Sequence, residues 1–173
     1  MSAPQITPFG TTASGQDVGR ITLLGHGLSV AIITKGATLQ SVRLAGVDHD
    51  LTLGSESLAD YEGVMRHHGS LVAPVVNRFK GAKAPIGNKV VAFEANQGGK
   101  HTLHCGAAGT QHKVWNVVEC SDTAVTLALD LPVGEGNLPG HRHVTACFSL
   151  HQGARLRLTV TATTDALTLF NAA

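Results

Sequence analysis

The stretch RLRLTVTAT, residues 155–163, alternates apolar and polar side chains along its whole length. Leu156, Leu158, Val160 and Ala162 occupy every second position, with arginine or threonine between them. Successive side chains of a β-strand point to opposite faces of the sheet, so this period of two predicts a strand with one buried face. The stretch therefore favours a sheet over a helix.

The same alternation runs through the two preceding segments. Apolar residues occupy alternate positions at 125–131 and 144–150, and the residues HQGA at 151–154 have the composition of a turn. Further strand-like runs, RITLLG, LSVAIIT and TLQSVRLA, lie between residues 20 and 45. We predict an all-β fold, an antiparallel β-sandwich formed as a single domain by residues 1–173.

One stretch has helical character. SLADYEG, residues 57–63, has the length of a helical turn or two, and Ser57 stands in the position of an N-cap. The 20 glycines are scattered between the strand-like runs, which fits a chain with many tight turns. The helix is expected to be a minor element.

The composition limits the possible partners. Lysine and arginine total 13 and aspartate and glutamate total 12, so the net charge is +1, and 14% of the residues are charged. Such a chain presents no strong field toward nucleic acid or an anionic membrane. No run approaches the roughly 18 apolar residues of a membrane span. We expect a small-molecule partner, no nucleic acid and no membrane association.

The cysteines and the N-terminal residues bear on the compartment. The three cysteines, at positions 105, 120 and 147, are odd in number and widely spaced, which argues against a disulfide framework. The start MSAPQITPFG has neither the basic nor the apolar segment of a secretory signal. We expect free thiols and a cytoplasmic location.

Two connections are longer than hairpin turns. They run over residues 94–112 and 132–142, and both are rich in glycine, asparagine and histidine. Long loops within a compact domain are commonly functional. We expect a site that is built on these loops and held by the sandwich.

The stretch PVVNRFKG, residues 74–81, ends an apolar run with an asparagine and an arginine. A buried guanidinium is costly unless its donors are satisfied, so Arg78 would need a carboxylate, carbonyl groups or a ligand. The alternative is a strand end at which Asn77 caps the backbone while Arg78 extends into water. These residues taken alone leave both interpretations open.

Ten histidines raise the question of a metal. His141 and His143 would share one face of a strand, and His101 and His104 could add further ligands. However, no carboxylate stands at a familiar metal-binding spacing from either pair. Most of the histidines fit ordinary surface or strand positions. We therefore expect no metal.

A neutral ligand rich in hydroxyl groups explains more of the pattern. Sugar hydroxyls are recognised by side chains that both donate and accept hydrogen bonds, together with arginine as a multiple donor. Asn77, Arg78 and His104 have these properties and lie at a strand end or in a glycine-flanked loop. For Trp115, the only tryptophan, we expect a core position rather than a sugar-stacking one.

The order of several motifs resembles that of the aldose 1-epimerases, also called galactose mutarotases. The matching stretches are KGATLQSVRL (35–44), DLTLGSESLADYEG (50–63), GSLVAPVVNRFKGAK (69–83), HTLHCGAAGTQHKVW (101–115) and GEGNLPGHRHVTACFSL (134–150). The resemblance implies a large antiparallel sandwich that interconverts the α and β anomers of free hexoses without a metal or organic cofactor. It also implies a small aldose sugar as the partner.

The resemblance assigns roles to a few residues. The family's Asn-Arg pair falls on Asn77 and Arg78, both expected to contact the sugar. Its Leu-His-Gly-Gly motif falls on residues 103–106, which makes His104 the histidine beside the pyranose. Cys105 stands where the first glycine is usual, and its side chain is expected to crowd the loop. Sugar oxygens, shared with a protein acceptor, would then be the partner of Arg78.

The resemblance does not supply the acid and the base. The family's acid histidine belongs to an Asn-His-x-Tyr-x-Asn motif that should follow TLFNAA, where these 173 residues end, and its glutamate base comes later. We therefore expect a sandwich that is incomplete at its C-terminal end, inactive alone, and completed by a further C-terminal portion or a complementary chain. The alternative function is a non-catalytic carbohydrate-binding sandwich.

Overall fold

The computed structural model describes residues 6–173 and is dominated by β-strands. The strands are β1 (Ile6–Thr11), β2 (Asp17–Gly25), β3 (Leu28–Ile33), β4 (Thr38–Leu44), β5 (Arg78–Phe79), β6 (Lys83–Ile86), β7 (Lys89–Ala92), β8 (Thr102–Leu103), β9 (Asn116–Cys120), β10 (Ala124–Leu131), β11 (Arg142–His151) and β12 (Arg155–Thr164). The helices are α1 (Leu58–Glu62) and the 3-10 turns Lys80–Ala82, Gly106–Ala108, Thr110–His112 and Glu135–Asn137. No helix in this part of the chain is both long and apolar enough to span a membrane.

Two four-stranded antiparallel sheets form the sandwich. Their strand orders are β1-β2-β3-β4 and β12-β11-β10-β9, and two short pairs, β5-β8 and β6-β7, lie outside them. One core cluster joins side chains of both large sheets, such as Ile21 and Leu23 from the first and Val144 and Phe148 from the second. The predicted antiparallel β-sandwich is therefore confirmed.

The stretch that predicted the fold is strand β12. It pairs with β11 in an unbroken register from Arg142 opposite Thr164 to His151 opposite Arg155. The prediction of a buried face holds only in part, because Leu158 is 44% exposed. The reason is that β12 is an edge strand, and little of the described chain covers its apolar face.

The predicted helix is present, but its cap differs from the expectation. Ser57 occupies the N-cap position, yet its side chain makes no capping hydrogen bond. The hydroxyl of Ser55 instead donates to Asp60 Oδ2 over 2.5 Å and accepts the backbone N–H of Ser57 over 3.0 Å. The start of α1 is therefore held by the residue two positions before the predicted cap.

Trp115 belongs to the core, as expected. Its side chain is 2% exposed and packs in the cluster shared by the two large sheets. The indole Nε1–H donates to the carbonyl of Thr110 over 3.3 Å, so the one polar atom of the ring has a partner. The hydrogen bond of Trp115 thus connects the end of the 94–112 loop to the sandwich. The indole ring is buried, so neither of its faces is open to a ligand.

Replacing this core side chain should be costly. We predict that Trp115→Ala lowers the free energy of unfolding by about 3–5 kcal/mol, because the large cavity left in a close-packed core collapses only partly. Val118→Ala is the control, since Val118 is 59% exposed, and its effect should stay within about 0.5 kcal/mol. Urea unfolding measures both, and equal small effects would contradict a core position for Trp115.

Candidate functional site

The structure brings the three predicted site residues together. Strand β5 pairs with β8, so Arg78 lies opposite Leu103, and Asn77 and His104 continue from these two strands as neighbours. The backbone N–H of Asn77 donates to His104 Nδ1 over 3.0 Å, and the backbone N–H of His104 donates to the carbonyl of Asn77 over 2.9 Å. These reciprocal hydrogen bonds join two loops that lie far apart in the sequence.

Both joined residues have left-handed backbone conformations. Asn77 has φ 69° and His104 has φ 53°. This region costs an L-residue other than glycine on the order of 1 kcal/mol, and such residues are concentrated at functional sites. The turns at these positions aim the backbone N–H of Asn77 at the imidazole.

The hydrogen bond from Asn77 sets the tautomer of His104. Since Nδ1 accepts a hydrogen bond, the neutral imidazole carries its proton on Nε2. Burial, and then the positive charge of Arg78, lowers the pKa of His104 below its ordinary value. The ring is therefore neutral near neutral pH and leaves Nε2–H as a donor.

Arg78 is exposed, so the interpretation of it as a buried guanidinium is wrong. Its Nε donates to Gln97 Oε1 over 2.7 Å and its Nη1 donates to Asn77 Oδ1 over 3.0 Å. Protein acceptors thus hold two nitrogens of the guanidinium beside His104. A guanidinium has five N–H donors, and these two hydrogen bonds use only two of them. The group is therefore held in place while other donors remain for a ligand.

The buried guanidinium of this chain is Arg142. It is 1% exposed, and its Nη2 donates to the carbonyls of Pro132 and Glu135 over 2.8 and 3.3 Å. These bonds fix the 132–142 loop from inside. The side chain of Glu135 forms an ion pair with Lys113, so this loop packs behind the 94–112 loop as a support.

A cleft of about 560 Å³ opens beside His104. This volume lies within the range of roughly 300–1,000 Å³ that is usual for small-ligand sites. The residues that line the cleft are Val64, Arg66, His67, Asn96, Leu103, His104, Gly106, Ala107, Gln111 and His112. Of the two long loops, 94–112 lines the cleft, whereas 132–142 does not.

Two side chains hold the backbone along one wall of the cleft. Asn96 accepts the N–H of Leu103 over 2.7 Å and donates to its carbonyl over 3.0 Å, as a neighbouring strand would. Glu94 Oε2 accepts the N–H of Ala107 over 2.8 Å. A Cβ on Gly106 would displace that carboxylate from its bond to Ala107, and φ is 57°, so glycine suits this position.

Cys105 does not crowd the loop in the way that was expected. It adopts a left-handed conformation with φ 59°, which explains why glycine suits this position. Its side chain turns inward, is 6% exposed, and its Sγ accepts the backbone N–H of Val75 over 3.2 Å. The thiol therefore secures the loop against the 74–81 stretch. All three cysteines are free, as predicted.

Three imidazoles meet in the cleft. The ring centroids of His67 and His104 are 5.0 Å apart, and those of His67 and His112 are 6.4 Å apart. Burial, followed by neighbouring positive groups, lowers the pKa of each of these histidines. In the neutral form each ring can donate one hydrogen bond and accept another, which suits a ligand with hydroxyl groups.

Gln111 is a further cleft residue with an unused acceptor. Its side chain is buried with 2% exposure, and its Nε2 donates to the carbonyl of His104 over 3.3 Å. Among the atoms of residues 6–173, none donates to its Oε1. Buried polar atoms usually have a partner, so this oxygen is an unsatisfied acceptor behind the surface of the cleft.

Sequence reasoning missed His67, Gln111 and His112. The last two lie in the 94–112 loop that was predicted to be functional, and loop position was the only available signal. His67 lies in an irregular segment after α1, and no spacing or periodicity connects it with His104. Its position depends on tertiary packing.

The histidines considered for a metal site do not converge. His101 Nδ1 accepts the N–H of Gly81 over 3.0 Å, whereas His143 Nδ1 is 2.9 Å from Asp130 Oδ1 on the exposed side of the second large sheet. Within residues 6–173, no cluster of three or more histidine, cysteine or acidic side chains has a geometry that could hold a metal ion.

Acid should destabilise the folded chain through the cleft histidines. An unfolded histidine titrates near pH 6.5, and His67, His104 and His112 titrate lower when folded, so the unfolded state binds more protons below that pH. The stability that these three neutral histidines contribute is therefore fully present above about pH 6.5. It is lost as the pH falls through their lowered pKa values in the folded state. Urea unfolding midpoints between about pH 8 and pH 5 should record this decline.

Two variants test whether the cleft histidines cause this decline in stability. His112→Gln should show a smaller decline than the wild type, because one of the three groups no longer titrates. His49→Gln changes an exposed histidine after β4 and should keep the full decline. If the decline is the same in all three proteins, its source lies outside the cleft.

Comparisons with known proteins identify the family of the chain. A family profile described as aldose 1-epimerase matches residues 20–173. The maltose epimerase of Levilactobacillus brevis is 32% identical over 166 residues, which are 92% of this chain and 48% of that protein. The aldose 1-epimerase of Escherichia coli is 28% identical over 155 residues, which are 87% of this chain and 44% of that protein.

A solved structure shows the same fold. The crystal structure of galactose 1-epimerase from Lactobacillus acidophilus matches with a TM-score of 0.85 and 27% identity, covering 99% of this chain and 52% of that one. The chain thus spans about half the length of the relatives that it matches. The sandwich is galactose mutarotase-like, and the chain belongs to the aldose 1-epimerase family of isomerases.

Proposed function

We propose that this chain forms the sugar-binding portion of an aldose 1-epimerase that interconverts the α and β anomers of free hexoses. The observation that carries the proposal is the reciprocally bonded pair Asn77 and His104, which holds Arg78 beside a cleft of about 560 Å³. These three side chains offer donors and acceptors at fixed positions, as a hexose requires.

The reaction requires two proton transfers. A base removes the proton of the anomeric hydroxyl while an acid protonates the ring oxygen, so the bond from C1 to the ring oxygen breaks and an open-chain aldehyde forms. Rotation about the bond from C1 to C2 and ring closure, with both protons returned, give the other anomer. The role of Asn77, Arg78 and His104 is to hold the sugar oxygens during these steps.

We assign neither the acid nor the base to a residue of this chain. Both are proposed to come from outside the 173 residues, from a C-terminal portion or a complementary chain. The exposed apolar face of β12 supports this proposal, because Leu158 is 44% exposed on a strand whose pattern is typical of a half-buried one.

The alternative function is sugar binding without catalysis, and the same cleft would serve it. Polarimetry with freshly dissolved α-glucose or α-galactose separates the two functions. The chain together with a polypeptide that supplies the rest of the family's sequence should accelerate mutarotation. Sugar binding with no acceleration by that combination would favour the alternative.

Arg78 provides a direct test of the sugar site. We predict that Arg78→Ala weakens hexose binding by about 1.5–3 kcal/mol, the range for hydrogen bonds to a charged group. Arg157→Ala is the matched control, since Arg157 is likewise exposed but lies on β12, whereas Arg78 forms a hydrogen bond with Asn77 of the proposed sugar site. Isothermal titration calorimetry measures both variants. Wild-type affinity in Arg78→Ala would assign the guanidinium to loop structure alone.

A further inference from the structure

Arg78 has the longest and most flexible side chain of the three proposed sugar contacts. It is exposed, so a free side chain of this kind would sample many rotamers in water, and ordering it would oppose ligand binding. Asn77 and His104, in contrast, are already held by their reciprocal hydrogen bonds. A guanidinium that binds a sugar well therefore needs contacts that order it before the sugar arrives.

Gln97 supplies one of these contacts. Its Oε1 accepts the Nε–H of Arg78 over 2.7 Å, at the short end of the range for N–H···O hydrogen bonds. The other contact runs from Nη1 of Arg78 to Asn77 Oδ1 over 3.0 Å. Because the two acceptors bind different nitrogens, together they restrict rotation of the guanidinium plane more than either one does alone.

The hydrogen bond to Gln97 uses the one N–H of Arg78 that is not at the tip of the side chain. A guanidinium has five N–H groups, one on Nε and two on each terminal nitrogen. Gln97 accepts the Nε–H, and Asn77 accepts one N–H of Nη1. The remaining N–H groups all lie on the two terminal nitrogens, farthest from the backbone. Gln97 therefore orders Arg78 without occupying a terminal donor.

The backbone that carries Gln97 is itself anchored. Its N–H donates to the carbonyl of His101 over 2.9 Å, and its carbonyl accepts the N–H of His101 over 3.1 Å, which closes a tight turn. The imidazole Nδ1 of His101 accepts the N–H of Gly81 over 3.0 Å. Gly81 follows Arg78 by three residues, so this turn is fixed to the same segment that carries the arginine.

The residue before Gln97 adds a second anchor. The side chain of Asn96 binds both backbone groups of Leu103, and Leu103 lies opposite Arg78 in the β5-β8 pair. The segment of Gln97 is thus attached on both sides of the arginine. Its amide starts from a fixed backbone, so the position of the acceptor does not depend on a bound ligand.

We propose that Gln97 is a positioning residue of the sugar site, which acts through Arg78 by ordering the guanidinium for contact with sugar oxygens. The inference rests on the proposed function, since it requires a sugar beside Asn77, Arg78 and His104. The contacts that define this role all join residues of this chain, so the role is the same whichever polypeptide supplies the acid and the base.

Calorimetric titration of the 173-residue chain with glucose and with galactose tests the proposal. Gln97→Ala should weaken hexose binding about three- to tenfold, because ordering Arg78 then opposes binding. Gln97→Glu keeps an oxygen acceptor for Nε and should bind more tightly than Gln97→Ala. The matched control is Gln152→Ala, an exposed change in the turn between β11 and β12, which should bind like the wild type.

A double variant distinguishes action through Arg78 from a general effect on the loop. In the Arg78→Ala background, Gln97→Ala should change the Kd by less than about twofold, because the group on which Gln97 acts is gone. If Gln97 only supported the loop, its loss would weaken binding as much in that background as in the wild type. That result would overturn the proposal.

The Nε–H of Arg78 provides a readout that needs no sugar. In ¹H–¹⁵N spectra this group should exchange with water more slowly in the wild type than in Gln97→Ala, and its signal is assigned by its loss in Arg78→Ala. Equal exchange rates, or unchanged hexose affinity in Gln97→Ala, would overturn the role of Gln97 and leave the proposed function standing. Failure of the wild type to bind either hexose would overturn the proposed function and this role with it.

Discussion

The reciprocal hydrogen bonds between Asn77 and His104 are the constraint on which the site depends. They close a small ring between two turns that the β5-β8 pair has already brought side by side. Because the imidazole accepts at Nδ1, the same bond fixes its orientation and its tautomer, while Asn77 Oδ1 and Gln97 Oε1 hold the adjacent guanidinium. Cys105 and Glu94 secure the far side of the turn, so the arrangement stands in the absence of a ligand.

Most of the fold could be predicted from alternating side chains. Strands lie near residues 125–131, 144–150 and 155–163, where the alternating pattern predicts them. The reason is that apolar side chains of each strand lie in the core between the sheets or pack against it. The pattern could not show that the face of β12 remains open, since the burial of an edge strand depends on what packs against it rather than on its own sequence. Ser57 occupies the N-cap position that the sequence predicts, but the side-chain hydrogen bonds at the start of α1 come from Ser55.

The site could be predicted only in part. Asn77, Arg78 and His104 were identified by their hydrogen-bonding side chains at a strand end or in a glycine-flanked loop and by resemblance, and the structure places them together. His67 and Gln111 were not, because they enter the cleft through tertiary packing that no spacing records. The sequence left the environment of Arg78 open: this arginine follows a buried run and is exposed, whereas Arg142, at the end of a polar loop, is buried among carbonyls.

The protonation state of one ring tests this account most directly. Long-range ¹H–¹⁵N correlation spectra of the histidine side chains distinguish the two tautomers of a neutral imidazole from its protonated form. Near neutral pH, His104 should be neutral with its proton on Nε2, as acceptance by Nδ1 requires. A proton on Nδ1, or a ring that is still charged near neutral pH, would contradict the preformed site.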